Sequence, residues 1–177
     1  MNQHEANHSF VEGATFADDI KDKGFSDQSP WHFIDQPFMD HFNTTVNPEA
    51  FNVTWSINYM RKALKAPKKN EDEGVKWELG DAFNLRLLIH YTGDMHQPLH
   101  TVSRFAKEFP NGDMGGNLFM LTPKEDINEL HALWDSTIYE YDQDFKQPLS
   151  EESWELLGNI SQTVRSEYPT TEEQMVE

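Results

Sequence analysis

The stretch VKWELGDAFNLRLLIHYTGDMHQPLH, residues 75–100, opens as an apolar-periodic run and closes on a cluster of polar groups. Trp77, Leu79, Phe83, Leu87, Leu88 and Tyr91 recur at helical spacing, which predicts a long helix from Val75 to about Asp94. Pro98 is expected to end or kink it, because proline lacks the amide proton that an inner turn needs. Near that end stand His90, Asp94, His96 and His100. His90 and Asp94, four apart on one helix, share a face with Cβ atoms about 5–6 Å apart, a spacing that can bracket one metal ion.

The same relation recurs downstream in LHALWDS, residues 130–136, where His131 and Asp135 lie on a second predicted helix with Leu130, Leu133 and Trp134 to hold it against a core. One such pair is more often a solvated or hydrogen-bonded helix face than a site. Two pairs, with His100 just past a chain-turning proline, shift the balance toward metal binding. The chain has no cysteine, so His and Asp or Glu are its only strong transition-metal ligands. Its 31 acidic and 14 basic residues give a net charge of -17, which repels long polyanions and anionic membranes at a distance. Any chemistry on phosphates must then rest on a local cationic centre.

Working outward, residues 11–23 read as a helix with Phe16 and Ile20 on one side, and 25–48 as loop carrying Pro30, Pro37 and Pro48. A helix is predicted from Pro48 to about Leu64, since Phe51, Trp55, Tyr59 and Leu64 recur at helical spacing. KAPKKNEDEG, residues 65–74, reads as a charged linker. Residues 101–128 read as a long loop with a short strand in LFML, residues 118–121, and helices are expected over 127–143 and 150–167. The class is predominantly α, in one domain over 1–177. No stretch reaches membrane length, and the first ten residues show no signal peptide. Asp18 in ATFADDIK and His32 in PWHFID are, by local context alone, an ordinary surface acid and an ordinary loop histidine.

Taken in order, ATFAD, WHFID, HYTGDMHQPLH, GGN and LHALWD, spread over about residues 14–136, resemble the zinc-dependent S1/P1 nuclease family. The resemblance implies an all-α fold, shared with zinc phospholipase C, with long loops around a metal cleft. It implies hydrolysis of single-stranded DNA or RNA to 5′-nucleotides by metal-activated water, with 3′-nucleotidase activity as a companion. By motif position Asp18, His32, His90 and Asp94 look like the ligands of one zinc, and His100, His131 and Asp135 like those of a second, with Asp94 also reaching a third. Lys21 occupies the place of a cation near the scissile phosphate, making Lys21 and Asp94 the catalytic pair. Phe33 and Asp35 fall where a base is stacked and hydrogen-bonded, and Asn117 near the phosphate or its loop, whereas His96 has no assigned role. The implied partners are single-stranded nucleic acid or 3′-nucleotides, with no membrane and no protein partner, and the implied location is outside the cell.

The chain departs from the family pattern at both ends. The N-terminal tryptophan and nearby histidine that hold the third zinc have no counterpart, and His4 and His8 do not match them. The region after Asp135 is also short for the family's further helices, at 42 residues, and the disulfide cysteines are absent. The expectation is therefore one domain shortened at both ends, holding two of the three zinc ions and acting weakly. A non-catalytic zinc-binding helical domain is the alternative. A zinc phospholipase C is disfavoured by the base-site residues in HFID.

Overall fold

The computed structural model describes residues 9–21, 23–67, 77–124, 127–141, 143 and 145–170. The charged stretch from Lys68 to Lys76, within the region read as a linker, and His4 and His8 lie outside them. The chain clusters into two units, Gly13–Asp142 and a smaller one made of Met1–Glu12 with Gln143–Glu177. It is predominantly helical, as the sequence predicts.

In the larger unit the helices are α1 (Phe16–Lys21), α2 (Val53–Lys65), α3 (Trp77–His96), α4 (Pro98–Thr101) and α5 (Leu130–Asp135). The helix expected over 11–23 is a 3-10 segment, Val11–Thr15, followed by α1, because Gly13 and Thr15 are poor α-formers. α3 runs two residues beyond Asp94 before the kink. Gln97, just ahead of the proline, is forced extended, and its side chain caps α4 by accepting the Leu99 amide.

α2 starts at Val53, five residues later than expected, since Asn52 Oδ1 accepts the Trp55 amide at 3.1 Å and fixes the helix start there. Its buried face is also not the aromatic one. Val53, Ser56 and Met60 are buried, while Phe51 and Tyr59 are exposed. The buried Ser56 hydroxyl is satisfied by the carbonyls of Val53 at 2.9 Å and Trp31 at 3.2 Å, so a small polar residue can occupy the core side. The core cluster joins Ala17 and Ile20 of α1, Val53 and Met60 of α2, and Leu87 and Tyr91 of α3, flanked by Phe16, Trp31, Ile34 and Phe83.

Two short sheets interrupt the regions read as loop. β1 (Gln36–Met39) pairs in parallel with β2 (Val102–Phe105), Gln36 opposite Val102 and Met39 opposite Phe105. Ile34 N donates to His100 O at 2.8 Å and Asp40 N to Phe105 O at 2.9 Å, extending the ladder at both ends. β3 (Met120–Lys124) pairs antiparallel with β4 (Ile127–Glu129), so the strand expected in LFML begins at Met120 and the helix expected over 127–143 is cut short. After α5, Thr137, Ile138 and Tyr139 adopt positive φ, which stops the helix. Asp113 anchors the loop between the sheets. Buried, it accepts the Arg104 amide at 2.8 Å and the Ser103 hydroxyl at 3.3 Å.

The smaller unit is built on α6 (Glu151–Glu167), capped by Ser150, whose Oγ accepts the Ser153 amide at 3.1 Å. The Glu12 carboxylate is buried and accepts the amides of Ser9 at 2.5 Å and Leu149 at 2.7 Å.

Candidate metal centre

The larger unit gathers the expected ligands into two groups. Asp18, His32 and His90 form one, and His100, His131 and Asp135 the other. In each group one ligand atom per residue lies within 4.8 Å of the others. α1 supplies Asp18, the 3-10 segment Ser26–His32 supplies His32 at its last residue, and α3 supplies His90. Asp18 Oδ1 is 3.8 Å from His32 Nδ1, Asp18 Oδ2 is 3.6 Å from His90 Nε2, and the two ring nitrogens are 3.1 Å apart. In the second group Asp135 reaches His100 Nε2 at 3.6 Å and His131 Nε2 at 3.3 Å, with the two rings stacked at 5.0 Å and 12°.

Asp94 stands between the groups. Its Oδ2 lies 3.0 Å from His32 Nδ1 and 3.3 Å from His90 Nε2, while Oδ1 is 3.5 Å from His100 Nδ1. Burial acts to raise its pKa, but hydrogen bonds from His32 and His90 outweigh this and hold it at about 2. The imidazoles respond in kind. Burial works against charge on His90 and His100, yet the bonds to Asp94 and Asp135 leave both pKa values raised. Burial likewise opposes the Asp135 carboxylate, and His100 and Gln97 overcome it, lowering its pKa.

Backbone carbonyls set the tautomers. His90 Nδ1 is 2.5 Å from Ala14 O, His100 Nδ1 3.0 Å from His32 O, and His131 Nδ1 2.7 Å from Gly115 O. A carbonyl can only accept, so Nδ1 keeps its proton in the neutral ring, and loss of the Nε2 proton to the neutral form turns the Nε2 lone pair toward the group, the form a metal ion would require. His32 presents Nδ1 instead. Imidazole nitrogens and carboxylates, with no thiolate, form a donor set that suits zinc. His96 joins neither group: it is exposed, and its Nδ1 lies 2.7 Å from Thr92 O.

A cleft of 520 Å³ is lined by Asp18, Lys21, His32, Phe33, Asp35, Asp94, His100, Asn117, His131 and Asp135. Of the expected site residues only His90 does not line it; its side chain, 9% exposed, enters the first group from α3. Lys21 Nζ is 2.9 Å from Asp18 Oδ1. Asp35, in left-handed backbone at φ 51°, turns the chain toward β1, and its pKa is raised by burial and by the charge of Asp113. Asn117 Nδ2 donates to Met114 O at 2.7 Å.

Several supporting groups escaped the sequence reading. Gln97 Nε2 donates to Asp135 Oδ1 at 2.8 Å while its Oε1 accepts the Leu99 amide, so one side chain orients a ligand and caps α4. Gly115, at φ 61°, presses so closely on Leu99 that an added Cβ would sit 2.3 Å from Leu99 O. Gln97 lies inside HQPLH and carried a signal only by its place there, whereas the Ala14, His32 and Gly115 carbonyls have no signature in sequence.

A family model described as S1/P1 Nuclease matches residues 1–177. Endonuclease 3 of Arabidopsis thaliana is 32% identical over 114 residues, which cover 63% of this chain and 36% of that protein. Endonuclease 5 of the same plant is 36% identical over 86 residues, 49% of this chain and 26% of its own length. Nuclease S1 of Aspergillus oryzae is 28% identical over 135 residues, 72% of this chain and 41% of its own. The chain thus spans well under half the length of these relatives.

Proposed function

Because the chain belongs to the S1/P1 nuclease family, we propose that it is a zinc-dependent phosphodiesterase acting on single-stranded nucleic acid to give 5′-nucleotides, with 3′-nucleotidase activity at the same cleft. One observation carries the reading: two His/Asp groups meet on Asp94 inside a cleft that also holds Lys21, Phe33, Asp35 and Asn117. We read residues 1–177 as one domain that takes two zinc ions and acts outside the cell. No helix among the described residues is long and apolar enough to cross a membrane.

Asp18, His32, His90 and Asp94 would hold one ion, and His100, His131 and Asp135 the other. Bound zinc supplies Lewis acidity, polarising a phosphoryl oxygen and acidifying a water ligand. The chain supplies the rest. Asp94, ionised even at low pH, balances positive charge in both groups and keeps them side by side. Lys21, held toward the cleft by Asp18, offers a compact ammonium to charge developing on the phosphate. The Phe33 ring gives a face for any base, and Asp35 an acceptor for a base edge, which orients the ester without reading sequence. Asn117 steadies the glycine loop over the second group.

The test pairs activity with metal content. Purified chain should carry two zinc ions by elemental analysis and cut single-stranded DNA, and it should release phosphate from a 3′-nucleotide. Asp94→Asn should lower both activities by a factor on the order of 10³. If wild type and Asp94→Asn are equally inert while zinc still raises the melting temperature, the chain is a zinc-binding module and the catalytic reading falls.

A further inference from the structure

We propose that the solvent face of α2 is a docking track for single-stranded nucleic acid, with Phe51, Trp55 and Tyr59 stacking bases and Lys62 and Lys65 neutralising phosphates several nucleotides from the cleft. The proposal rests on the nuclease reading above and adds a binding surface to it.

The first observation is the reversed face of α2. With Val53, Ser56 and Met60 turned inward, the residues at 55, 59 and 62 form the outward row, and Phe51 continues it just ahead of the helix. Phe51 meets Trp55 edge-on at 4.9 Å, and Trp55 stacks on Tyr59 at 5.1 Å and 16°. Phe51 is 59% and Tyr59 52% exposed, so ring faces remain open along the row. Phe51 and Tyr59 expose their rings on either side of the half-buried Trp55, and a contiguous exposed aromatic patch of this kind marks an interaction site.

The second observation is charge. From Ala50 to Asn70 the sequence has no Asp or Glu, yet it carries Arg61, Lys62, Lys65, Lys68 and Lys69 in a chain of net charge -17. Among the described residues no carboxylate lies within ion-pair distance of Arg61, Lys62 or Lys65. These three, with Asn58, line a recess of 350 Å³. A polyanion repelled elsewhere can approach here. Aromatic faces beside a run of cations are how proteins hold a strand without reading its sequence.

The third observation links the row to the cleft. Val53 N donates to Phe33 O at 3.0 Å, Ser56 Oγ donates to Trp31 O, and the rings of Trp31 and Trp55 are 5.3 Å apart. The start of the track therefore abuts the segment that carries His32 and Phe33. From Val53 to Lys65 the helix extends about 18 Å, room for a handful of nucleotides. A lipid surface fits less well, because a flat anionic bilayer would press against the whole acidic chain, whereas a strand touches the track alone.

The experiment measures binding of a fluorescent, phosphorothioate-linked oligothymidylate of about twelve nucleotides to the zinc-loaded protein across a salt series. Tyr59→Ala should weaken binding about tenfold, while Tyr59→Phe binds as wild type. Replacing both Lys62 and Lys65 by Gln should reduce the slope of log affinity against log salt by about 1.4, roughly 0.7 per phosphate contact. Unchanged affinity in Tyr59→Ala together with an unchanged slope in the lysine variant overturns the track. So does a loss in Tyr59→Ala of capture by phosphatidylserine vesicles with oligonucleotide binding intact. A wild type that cuts unmodified oligothymidylate but binds it independently of Tyr59 removes the track and keeps the nuclease. A wild type that binds through Tyr59 and cuts nothing removes the nuclease and keeps the track.

Discussion

The two ligand groups are built on different supports. Asp18, His32 and His90 hang from segments whose neighbouring residues form the core: Ala17 and Ile20 beside Asp18, Trp31 beside His32, Leu87 and Tyr91 beside His90. Tyr91 stands edge-on to His32 at 5.1 Å and to His90 at 5.8 Å, so packing fixes the rings. Among the described residues the second group has no such backing from the core cluster. Asp135 is 47% exposed on the short helix α5, and what holds the group is polar: the Gly115 carbonyl on His131, the Gln97 amide on Asp135, and the His32 carbonyl on His100. Core mutations should thus strike stability and the first group together, whereas loop mutations should strip the second group with a smaller effect on the fold.

The strongest perturbation of that contrast is Leu87→Ala. Leu87 is fully buried, and its truncation should cost about 2–5 kcal/mol, read as a lower denaturant midpoint with and without zinc. If the midpoint does not move, packing is not the support of the first group. Gly115→Ala comes next. Its Cβ would collide with Leu99 O and sit in left-handed backbone, at a cost of about 1–3 kcal/mol. The expected result is one zinc per chain instead of two, and two retained zincs would show that the Gly115 carbonyl does not fix His131. The mildest test is Gln97→Ala. Loss of a hydrogen-bonded support should weaken zinc about 10–100-fold at the second group alone, measured by chelator competition. Equal weakening of both ions would mean that the groups are coupled through Asp94 rather than independently supported.

The sequence made half of this legible, and the division has physical causes. The His-x-x-x-Asp pairs at His90/Asp94 and His131/Asp135 are written in helical spacing, which is local. Asp18 and His32 have ordinary surroundings and were reached only through resemblance to a family pattern, because their neighbours in the group are far along the chain. α2 was recognisable as a helix, but its inward face was not. The aromatic row at 55 and 59 has the stronger periodicity, while the face that packs carries Ser56, whose burial depends on a carbonyl at Trp31. The strands Gln36–Met39 and Val102–Phe105 are four residues each and pair across more than sixty positions, so no alternation announces them. Backbone carbonyls that select histidine tautomers leave no trace in residue type.

The parallel ladder also acts as a gauge. His32 lies four residues before one strand and His100 two residues before the other, and the amide of Ile34 is tied to the carbonyl of His100. Moving the pairing by one residue would displace one group against the other by about 3.3 Å. That is close to the whole separation, about 3.5–4 Å, over which paired ions cooperate on a phosphate. An insertion after Asp40, past the last hydrogen bond of the ladder, would only lengthen a loop. A single residue added between His32 and Gln36, or between His100 and Val102, would retune the spacing of the two ligand groups, so there the length of the chain is itself a chemical parameter.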